Sequence, residues 1–562
     1  MQAVQPLPQS ESGGVRFRFP ALSMERSERW LVGAHIAVAL GAAALGLLLG
    51  PFQTFRRAPA LQWEIPVFSY YYQALTLHGV LNALVFTTFF IMGFSYFVVQ
   101  RSLQRPLASP RAAWVSFWMM LVGLLLAAFA ILTGQATVLY TFYAPMIGHW
   151  TFYVGLALVI VGSWVGAFNI FATYMQWRKE HPGERVPLAV FATVANFIMW
   201  FTASLGVAIE VVFMLLPLSL GIVRTTDPQL TRIFFWFFGH PLVYFWLIPA
   251  YTSWYTMLPK HYNVKLFSDS VARVAFLMLM IFSIPIGVHH LFADPGVSEA
   301  SKALHSFLTF VVAAPSLLTA FNIGATLERA GRQRGGNHIT WIFRQAWDNP
   351  IIASQIGGML LFLAGGVTGL MNASFTLNVA LHNTTWVVGH FHTTLAGAVF
   401  MTYIGILYWL LPMLRGRKLW GKRIALVQVY TWLIGMSLFG LGMGRAGVEG
   451  ATRRTDLGAA GVYIAEDWIP WLNLSAVAGV LLLISTLCLF AVIIGTLRFS
   501  KEAVEEPAPI STTGPATTPL WLERWNLWIA IIVLTNVIMW GPVLLQGLDF
   551  VQGFWSPGVR MQ

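Results

Sequence analysis

Thirteen long apolar segments run through this chain, and their length constrains the fold more than any other feature. Each segment can cross a bilayer as a helix, which takes about 20 residues and satisfies the backbone hydrogen bonds within the segment. Only 10% of the 562 residues are charged, against about 25% in soluble domains. We therefore predict an all-α, polytopic membrane protein with about 13 transmembrane helices. The segments lie near residues 30–50, 74–100, 113–134, 148–175, 189–216, 231–258, 272–293, 304–326, 350–371, 383–412, 424–444, 468–497 and 522–546.

Basic residues are spread unevenly over the polar stretches between these segments. If the N-terminus is cytoplasmic, 25 of the 34 Lys and Arg residues fall on that side of the membrane and nine fall outside. Such a bias sets orientation by the positive-inside rule. We predict a cytoplasmic N-terminus and an outer C-terminus. The net charge of +12 then reflects topology, and we expect no nucleic-acid partner.

The sequence divides into four regions. Residues 1–27 are predicted to be a polar cytoplasmic tail, and the apolar run after it lacks a small-residue cleavage site, which favours a retained anchor. Residues 28–499 are predicted to form a twelve-helix core. Residues 500–520, rich in Pro and Thr, are predicted to be a flexible linker. Residues 521–562 add a C-terminal transmembrane helix, expected to be peripheral because it carries no candidate ligand, and an outer tail.

Two histidines of the tenth segment, His390 and His392, are only two residues apart. On a helix they point about 200° apart, so they cannot bind the same metal ion. Each can instead hold a separate planar cofactor on its own side of the helix. Histidine in a membrane interior is costly and is functional by default, and binding haem iron is among its commonest functions. The pair therefore predicts two cofactors on opposite faces of one helix.

Four more histidines are predicted at the same depth, in the outer third of the membrane. His78 and His240 come early in segments that enter from outside, and His289 and His290 come late in one that leaves outward. Histidines that merely pack in a core would scatter in depth. His240, His289 and His290 make a three-imidazole site with an open position, which suits copper. Tyr244 follows His240 by four residues, on the same helix face, where it could supply an electron and a proton.

The remaining histidines divide into His382, considered below, and six with ordinary interpretations. Three fall in charged inner loops and are expected to be solvated, two at outer helix starts suggest interfacial packing, and one alone in the first segment suggests a satisfied core position. In that order these are His181, His261, His338, His149, His305 and His35.

The constellation resembles the catalytic subunit (subunit I) of the haem–copper oxygen reductases, the terminal respiratory oxidases. The resemblance covers nearly the whole chain in helix order and motif spacing. It rests on G-H-P-L-V-Y (His240, Tyr244), the H-H pair (His289, His290), G-H-F-H (His390, His392) and L-H-G-V (His78). It implies that His390 binds the iron of a high-spin haem facing the copper ion CuB, and that His392 and His78 bind the iron of a low-spin haem. It also implies a covalent bond between His240 and Tyr244.

The resemblance implies an enzyme that reduces dioxygen to water and couples this reaction to proton uptake and pumping, in a prokaryotic plasma membrane. The implied cofactors are a low-spin haem of the b type, a high-spin haem of the a type and one copper ion. The only cysteine, Cys488, lies in an apolar segment, so the chain cannot build a dinuclear copper site of the Cys/His kind. We expect a subunit II with that site, which passes on electrons from cytochrome c or a similar donor, with quinol as the alternative, and a small membrane subunit.

Departures from the commonest, A-type branch point to the B-type, cytochrome ba-like oxidases, as do W-D-N-P (347–350) and N-A-S-F-T-L (372–377). Leu242 replaces a glutamate that ends one A-type proton path. His382 and Asn383 replace the His-Asp pair that helps to build a magnesium site, so we expect no magnesium but keep both as candidate cofactor-binding residues. Asn378 stands where B-type relatives have an acidic residue near the haem propionates.

Arg453 and Arg454, in the last outer loop before the twelfth helix, match the pair that binds haem propionates in the family. An exposed charge pair is the ordinary interpretation. Two buried haems, however, need cationic partners for their carboxylates.

A proton path is predicted along the sixth segment. Tyr244, Tyr251 and Tyr255 fall within about 40° of one another on one helix face. Such a stripe is more often ordinary packing or interfacial anchoring, but this one begins at the tyrosine beside a copper ligand. The B-type pattern adds the hydroxyls of Ser316 and Thr319. Ser268 could mark the inner entrance, and it completes the predicted path.

Two alternative functions remain open from the sequence. A nitric oxide reductase shares the six histidines, but such enzymes typically lack the active-site tyrosine and place acidic residues beside a non-haem iron. A secondary transporter would explain the helices and the charge bias, and Glu210 in the fifth segment could be its coupling carboxylate. It would leave six histidines at one depth unexplained.

Overall fold

The computed structural model of the protein describes residues 26–64, 68, 70–503 and 511–555, so nearly all of the predicted tail 1–27 lies outside the described residues. In the described part, twelve helices are long and apolar enough to cross a membrane, and a thirteenth has only 15 residues. In chain order the thirteen are α1 (Arg26–Arg57), α2 (Tyr71–Leu103), α3 (Pro110–Leu132), α4 (Trp150–Glu180), α5 (Leu188–Ser219), α6 (Pro228–His261), α7 (Asp269–Ser283), α8 (Glu299–Gln333), α9 (Pro350–Ala373), α10 (Thr385–Arg415), α11 (Lys422–Val448), α12 (Glu466–Arg498) and α13 (Trp525–Trp555).

The helices pack as neighbours in sequence around a common core. α3 packs along α4, α5 along α6, and α11 along α12. A short helix, Phe375–Leu381, joins α9 to α10. In the described residues the only β pairing consists of two isolated bridges. The predicted all-α membrane fold is confirmed, with twelve helices of full spanning length where about thirteen were predicted.

Several helices begin at polar caps followed by proline. Ser109 and Asp227 accept hydrogen bonds from backbone N–H groups three residues on, and Pro110 and Pro228 take the first helical positions of α3 and α6. Proline is favoured there because its missing N–H would have had no helical partner. Caps of this kind fix where a span starts, and α6 therefore places His240 about 18 Å along its axis.

The helix α7 ends earlier than predicted. The segment 272–293 was expected to be one helix, but the helix stops at Ser283 and the chain then forms a 3₁₀ turn at Val288–His290. Pro285 lacks the N–H that a helix needs. The backbone at Gly287 also approaches helix α6 so closely that a Cβ there would lie 2.5 Å from the carbonyl oxygen of Trp236. The histidine pair therefore lies on a turn.

Three spans contain a π-helical stretch: Val80–Phe86 in α2, Glu210–Leu215 in α5 and His392–Val399 in α10. Such stretches are rare and occur frequently at functional sites. Two of them lie directly at predicted haem ligands, because one starts two residues after His78 and another starts at His392.

The region before α13 is packed where the structure describes it. Gly514 N donates to the Arg185 carbonyl, and Thr518 Oγ1 donates to Asp269 at 2.8 Å. Glu523 forms an ion pair with the buried guanidinium of Arg273, at 2.8 Å. Residues 504–510 of the predicted linker lie outside the described residues, and the four region boundaries stay predictions.

Candidate active site

His240 on α6 and the turn carrying His289 and His290 meet at one point. Each histidine offers a ring nitrogen, and these three atoms all lie within 4.8 Å of one another. In the described part of the chain no other group of His, Cys, Asp or Glu side chains meets this criterion. The Nε2 atom of His240 is buried without a hydrogen-bond partner. Three imidazoles in this arrangement, one with a buried free nitrogen, fit a copper ion.

Two residues absent from the sequence predictions hold this cluster. Trp236 stacks on the His290 ring at 3.8 Å between centroids, with 4° between the planes. Thr309 on α8 places its hydroxyl oxygen 3.1 Å from Nδ1 of His289. Trp236 lies one helical turn before His240, a spacing that could have indicated it. No local signal marks Thr309, because its role depends on a contact between two distant segments.

The imidazole rings of His78 on α2 and His392 on α10 lie side by side and nearly parallel. Their ring planes differ by 9° and their centroids are 6.1 Å apart. Nδ1 of His78 donates to the Gly46 carbonyl at 2.8 Å, and Nδ1 of His392 donates to the Val388 carbonyl at 3.0 Å. Such bonds fix the tautomer of a metal-binding histidine. They leave Nε2 of both rings available to one metal ion between them.

His390 is held separately from His392. Its Nδ1 lies 3.1 Å from the Gly365 carbonyl and 3.0 Å from the Thr368 hydroxyl, both on α9. A Cβ on Gly369 would lie 3.0 Å from the His390 ring, so the glycine lets this helix approach the imidazole. The two neighbouring histidines thus have different surroundings, as the 200° separation predicts.

A single cavity of about 850 Å³ connects these side chains, near the upper end of the range of ligand pockets. Its walls are mainly apolar side chains and include Leu242. Among the described residues that line it, none is Asp or Glu. The predicted site residues that line it are His78, His240, Tyr244, Tyr251, His289, His290, Ser316, Thr319, His382, Asn383, His390, His392, Arg453 and Arg454. A cavity of this lining, with imidazoles on its walls, fits haem groups.

The cationic edge of the cavity is formed by the predicted arginine pair. Arg453 donates to the Tyr140 hydroxyl at 3.1 Å, and Arg454 donates to the Thr141 hydroxyl at 3.4 Å. Burial lowers the pKa of Arg453 from its usual value. This half-buried guanidinium forms no ion pair with a carboxylate in the described part of the chain, so it would gain from the carboxylate of a bound ligand.

His382 and Asn378 lie beside this edge. Burial, followed by the nearby positive charges of Arg232, Arg453 and Arg454, lowers the pKa of His382 to about 4. Its Nδ1 donates to Asn378 Oδ1 at 3.3 Å. The carbonyl of Asn383, a residue with a left-handed φ of 58°, accepts from the Arg453 backbone N–H. This backbone hydrogen bond therefore joins the loop before α10 to the loop that carries Arg453 and Arg454.

The predicted proton-path residues meet in pairs between α6 and α8. Tyr251 donates to Ser316 at 3.0 Å, and Tyr255 donates to Thr319 at 2.9 Å. Tyr244 lies two turns before Tyr251 on α6, with its ring centroid 5.1 Å from that of His240.

Ser268, the predicted entrance residue, is half-buried at the start of α7. Its Oγ caps α7 by accepting from the Val271 N–H, and its backbone binds the amide of Asn322. Asn322, three residues after Thr319, is a polar neighbour that the sequence reasoning missed. The i, i+3 spacing of Thr319 and Asn322 on α8 could have indicated it.

Two of the six histidines with ordinary interpretations, His35 and His305, lie in the buried core. His35 is buried in the core and its Nδ1 donates to the Leu31 carbonyl at 2.9 Å, but its Nε2 is buried without a hydrogen-bond partner, so the expected core histidine is only half satisfied. His305 is not interfacial: it is fully buried, with Nε2 3.1 Å from the carbonyl of Met539. The interfacial interpretation is wrong because α13, far away in sequence, covers this position.

Comparison with known proteins places the chain in one family. The family model described as "Cytochrome C and Quinol oxidase polypeptide I" matches residues 30–481. Cytochrome c oxidase subunit 1 of Thermus thermophilus is 41% identical, over 90% of this chain and 92% of the relative. Ubiquinol oxidase subunit 1 of Acetobacter aceti is 26% identical, over 75% of this chain and 62% of the relative.

A comparison with solved structures points to the same family. A heme-copper terminal oxidase dimer determined by cryo-EM superposes with a TM-score of 0.87, at 38% identity and over 92% of each chain. The range matched by the family model, residues 30–481, includes all six histidines. The chain therefore belongs to the haem–copper oxidase family, as a subunit I, the polypeptide I of cytochrome c and quinol oxidases.

Proposed function

We propose that this chain is the catalytic subunit of a terminal respiratory oxidase, which reduces dioxygen to water and couples the reaction to proton uptake and pumping. The observation that carries the proposal is the cluster of His240, His289 and His290, within 4.8 Å, in one cavity with His390 and Tyr244. Membership of the family supports the activity.

The six histidines would divide among three metal centres. His240, His289 and His290 would hold one copper ion, and His390 would hold the iron of a high-spin haem of the a type. His78 and His392 would hold the iron of a low-spin haem of the b type. When bound, these groups supply electron transfer and a place where dioxygen binds. Arg453 and Arg454, with His382 and Asn383 nearby, would receive the haem carboxylates.

Tyr244 would act as the local donor to oxygen. Its phenol carries one hydrogen, which can leave as an electron and a proton together. The ring lies beside His240, at 5.1 Å between centroids, and the side chain lines the cavity. A covalent link to His240 would fix the ring in this position. The side chain is therefore close enough to the proposed copper ligand to serve the same reaction.

Protons would reach Tyr244 along α6 and α8. The two hydroxyl pairs, Tyr251 with Ser316 and Tyr255 with Thr319, offer successive donors and acceptors. Hydroxyls both donate and accept hydrogen bonds, which is what a proton relay requires. With the N-terminus in the cytoplasm of a prokaryotic cell, this path would begin near Ser268 on the inner side. Leu242 leaves no carboxylate for the A-type route.

Electrons would arrive through a second subunit. Cys488 is the only cysteine of the chain, so a dinuclear copper site must lie elsewhere. We propose a subunit II that carries this site and accepts electrons from cytochrome c, and a small membrane subunit beside it. A relative with a ubiquinol name makes quinol the alternative donor.

The composition of the cavity favours oxygen over nitric oxide. A nitric oxide reductase is expected to place acidic residues beside its non-haem iron, whereas the described lining contains Tyr244 and no Asp or Glu. A transporter fits less well, since Glu210 does not line this cavity and a transporter needs no histidine cluster.

The purified complex allows a direct test. Oxygen consumption and nitric oxide consumption would be measured with reduced cytochrome c as donor. We expect cyanide-sensitive oxygen uptake that is at least tenfold faster than nitric oxide uptake, a difference of about 1.4 kcal/mol in barrier. Faster turnover of nitric oxide than of oxygen would contradict the proposal.

A further inference from the structure

We propose that the C-terminal helix α13 positions the copper-binding turn, acting through Trp540 and through a chain of hydrogen bonds that runs from Met539 to His289. The inference rests on the proposed function, since it concerns the copper site. Three observations carry it: a ring packed against the turn, a hydrogen-bonded chain that leads to His289, and an ion-paired anchor just before the start of α13.

Trp540 occupies the corner between α7 and the turn. Its side chain is 1% exposed, and its Nε1 lies 3.4 Å from the carbonyl of Ile284, just past the end of α7. A Cβ on Gly287 would lie 2.7 Å from Cζ2 of the Trp540 ring. The Gly287 backbone is thus enclosed between this ring and the Trp236 carbonyl. A displacement of α13 would therefore displace the turn.

The hydrogen-bonded chain starts at the backbone of α13. The Met539 carbonyl lies 3.1 Å from Nε2 of His305, and because a carbonyl can only accept, Nε2 carries the hydrogen. The His305 ring also meets the Trp540 ring edge to face, at 5.1 Å between centroids. Helix α8 is therefore fixed to α13 at this residue.

The chain ends at a proposed copper ligand. Thr309 donates its one hydroxyl hydrogen to the His305 carbonyl at 2.6 Å. Its oxygen must then accept from Nδ1 of His289, 3.1 Å away. Nδ1 of His289 accordingly carries a hydrogen, and Nε2 is left as the atom that binds metal. Partners of this kind set the tautomer of a ligand histidine, and their loss typically costs 10–100-fold in metal affinity.

The start of α13 is anchored independently. Glu523, two residues before the helix, pairs with Arg273 at 2.8 Å and with Arg178 at 3.2 Å. Its carboxylate is almost fully buried. The face of α13 away from the core is exposed, as at Val537 with 64% exposure. The helix is thus held by charge just before its first residue and by Trp540 near its middle, which suits a support for the turn.

The test measures how tightly the full complex holds copper. Purified complexes are equilibrated with increasing concentrations of a copper chelator, and copper per chain is measured by elemental analysis. The low-spin haem spectrum reports in the same samples whether the bundle remains folded. The variants are Thr309→Val, which keeps the volume but removes the hydroxyl, and Thr309→Ser, which restores it. Trp540→Leu is compared with Trp528→Leu, the same change about 18 Å away on the same helix.

We expect Thr309→Val and Trp540→Leu to release copper at 10–100-fold lower chelator concentrations than the parent, with the low-spin spectrum unchanged. Thr309→Ser and Trp528→Leu should behave like the parent. Parent-like retention in Thr309→Val and Trp540→Leu would overturn the inference, and so would equal loss in Trp540→Leu and Trp528→Leu. A parent complex that contains haem but binds no copper would overturn the proposed function itself, and the inference with it.

Discussion

At the scale of single residues, His390 and His392 are held by different parts of the chain. Nδ1 of His390 contacts α9, through the Gly365 carbonyl and the Thr368 hydroxyl. Nδ1 of His392 bonds within α10, to Val388. The 200° separation on a helix made two separate cofactors predictable from sequence, whereas the α9 contacts of His390 required the structure.

Replacing each histidine by leucine should separate the two haems. His392→Leu should abolish the low-spin absorption bands, because the low-spin haem would lose one of the two histidines proposed to hold it, and should change the high-spin centre less. His390→Leu should do the reverse. Absorption spectra of oxidised and reduced complexes, with pyridine extracts for haem content, make the measurement. Loss of the same spectral component in both variants would contradict the assignment.

Tyr244→Phe should retain both haems and copper but lose turnover. The phenol is proposed to donate an electron and a proton, and positioned proton donors typically contribute 10²–10⁴-fold to a rate. We therefore expect oxygen consumption to fall by at least about 100-fold. Tyr251→Phe, on the same helix face, keeps the active-site phenol and should therefore lose only roughly tenfold of the rate, as a path residue. Near-normal oxygen uptake by a fully metallated Tyr244→Phe complex would disprove the role.

Some site residues could be predicted from sequence because their chemistry is rare in a membrane helix. The histidines stood out for this reason, and Tyr244 by its spacing from His240. Thr309 and Trp236 did not stand out. Threonine and tryptophan are ordinary membrane residues, and only a contact between distant segments gives them a function here.

At the scale of helices, the proton path depends on the pairing of α6 with α8. The spacing on α6 predicts the tyrosine stripe, whereas the pairing is visible only in the structure: Tyr251 donates to Ser316, and Tyr255 donates to Thr319. Ser268 instead caps α7. A capping position was visible in the sequence as a serine just before an apolar run, and it gives the residue a structural use beside the proposed one.

Thr319→Val and Tyr251→Phe should slow oxygen reduction and proton uptake together. Each change removes one hydrogen bond of the path, Tyr251 to Ser316 or Tyr255 to Thr319, and Thr319→Val also removes the bond to the Pro315 carbonyl. Because about 1.4 kcal/mol corresponds to a factor of ten in rate, we expect roughly tenfold effects. Stopped-flow absorbance with a pH indicator dye measures both steps. Thr326→Val, one to two turns farther along α8, serves as the control. Parent rates in both path variants would require another proton route.

The ends of α7 and α13 show where sequence patterns were insufficient. The apolar run 272–293 predicts a single helix, but Pro285 and the enclosed Gly287 end it at Ser283. The C-terminal helix is expected to be peripheral because it has no ligand, and this is so, since only 22% of its apolar span is buried. Its buried Trp540 packs against the turn that carries two ligands, a tertiary contact that apolar periodicity does not encode.

At the scale of the whole molecule, the charge bias predicts orientation, and a labelling experiment tests it. In a Cys488→Ser background, a cysteine replaces Thr225, between α5 and α6, or Gln333, at the end of α8; both positions are exposed. In intact cells a membrane-impermeant maleimide should label Thr225→Cys and leave Gln333→Cys unlabelled until the membrane is opened. The opposite pattern would reverse the topology and, with it, the direction of proton supply.

The whole bundle brings six histidines from four parts of the chain to one cavity, and the nature of the bound metals is the central claim. Anomalous X-ray diffraction from crystals of the purified complex, collected at the iron and copper absorption edges, tests it most directly. We predict one copper peak among His240, His289 and His290, and two iron peaks, one beside His390 and one between His78 and His392. An iron peak in place of copper at the three-histidine cluster, or no metal there, would contradict the account.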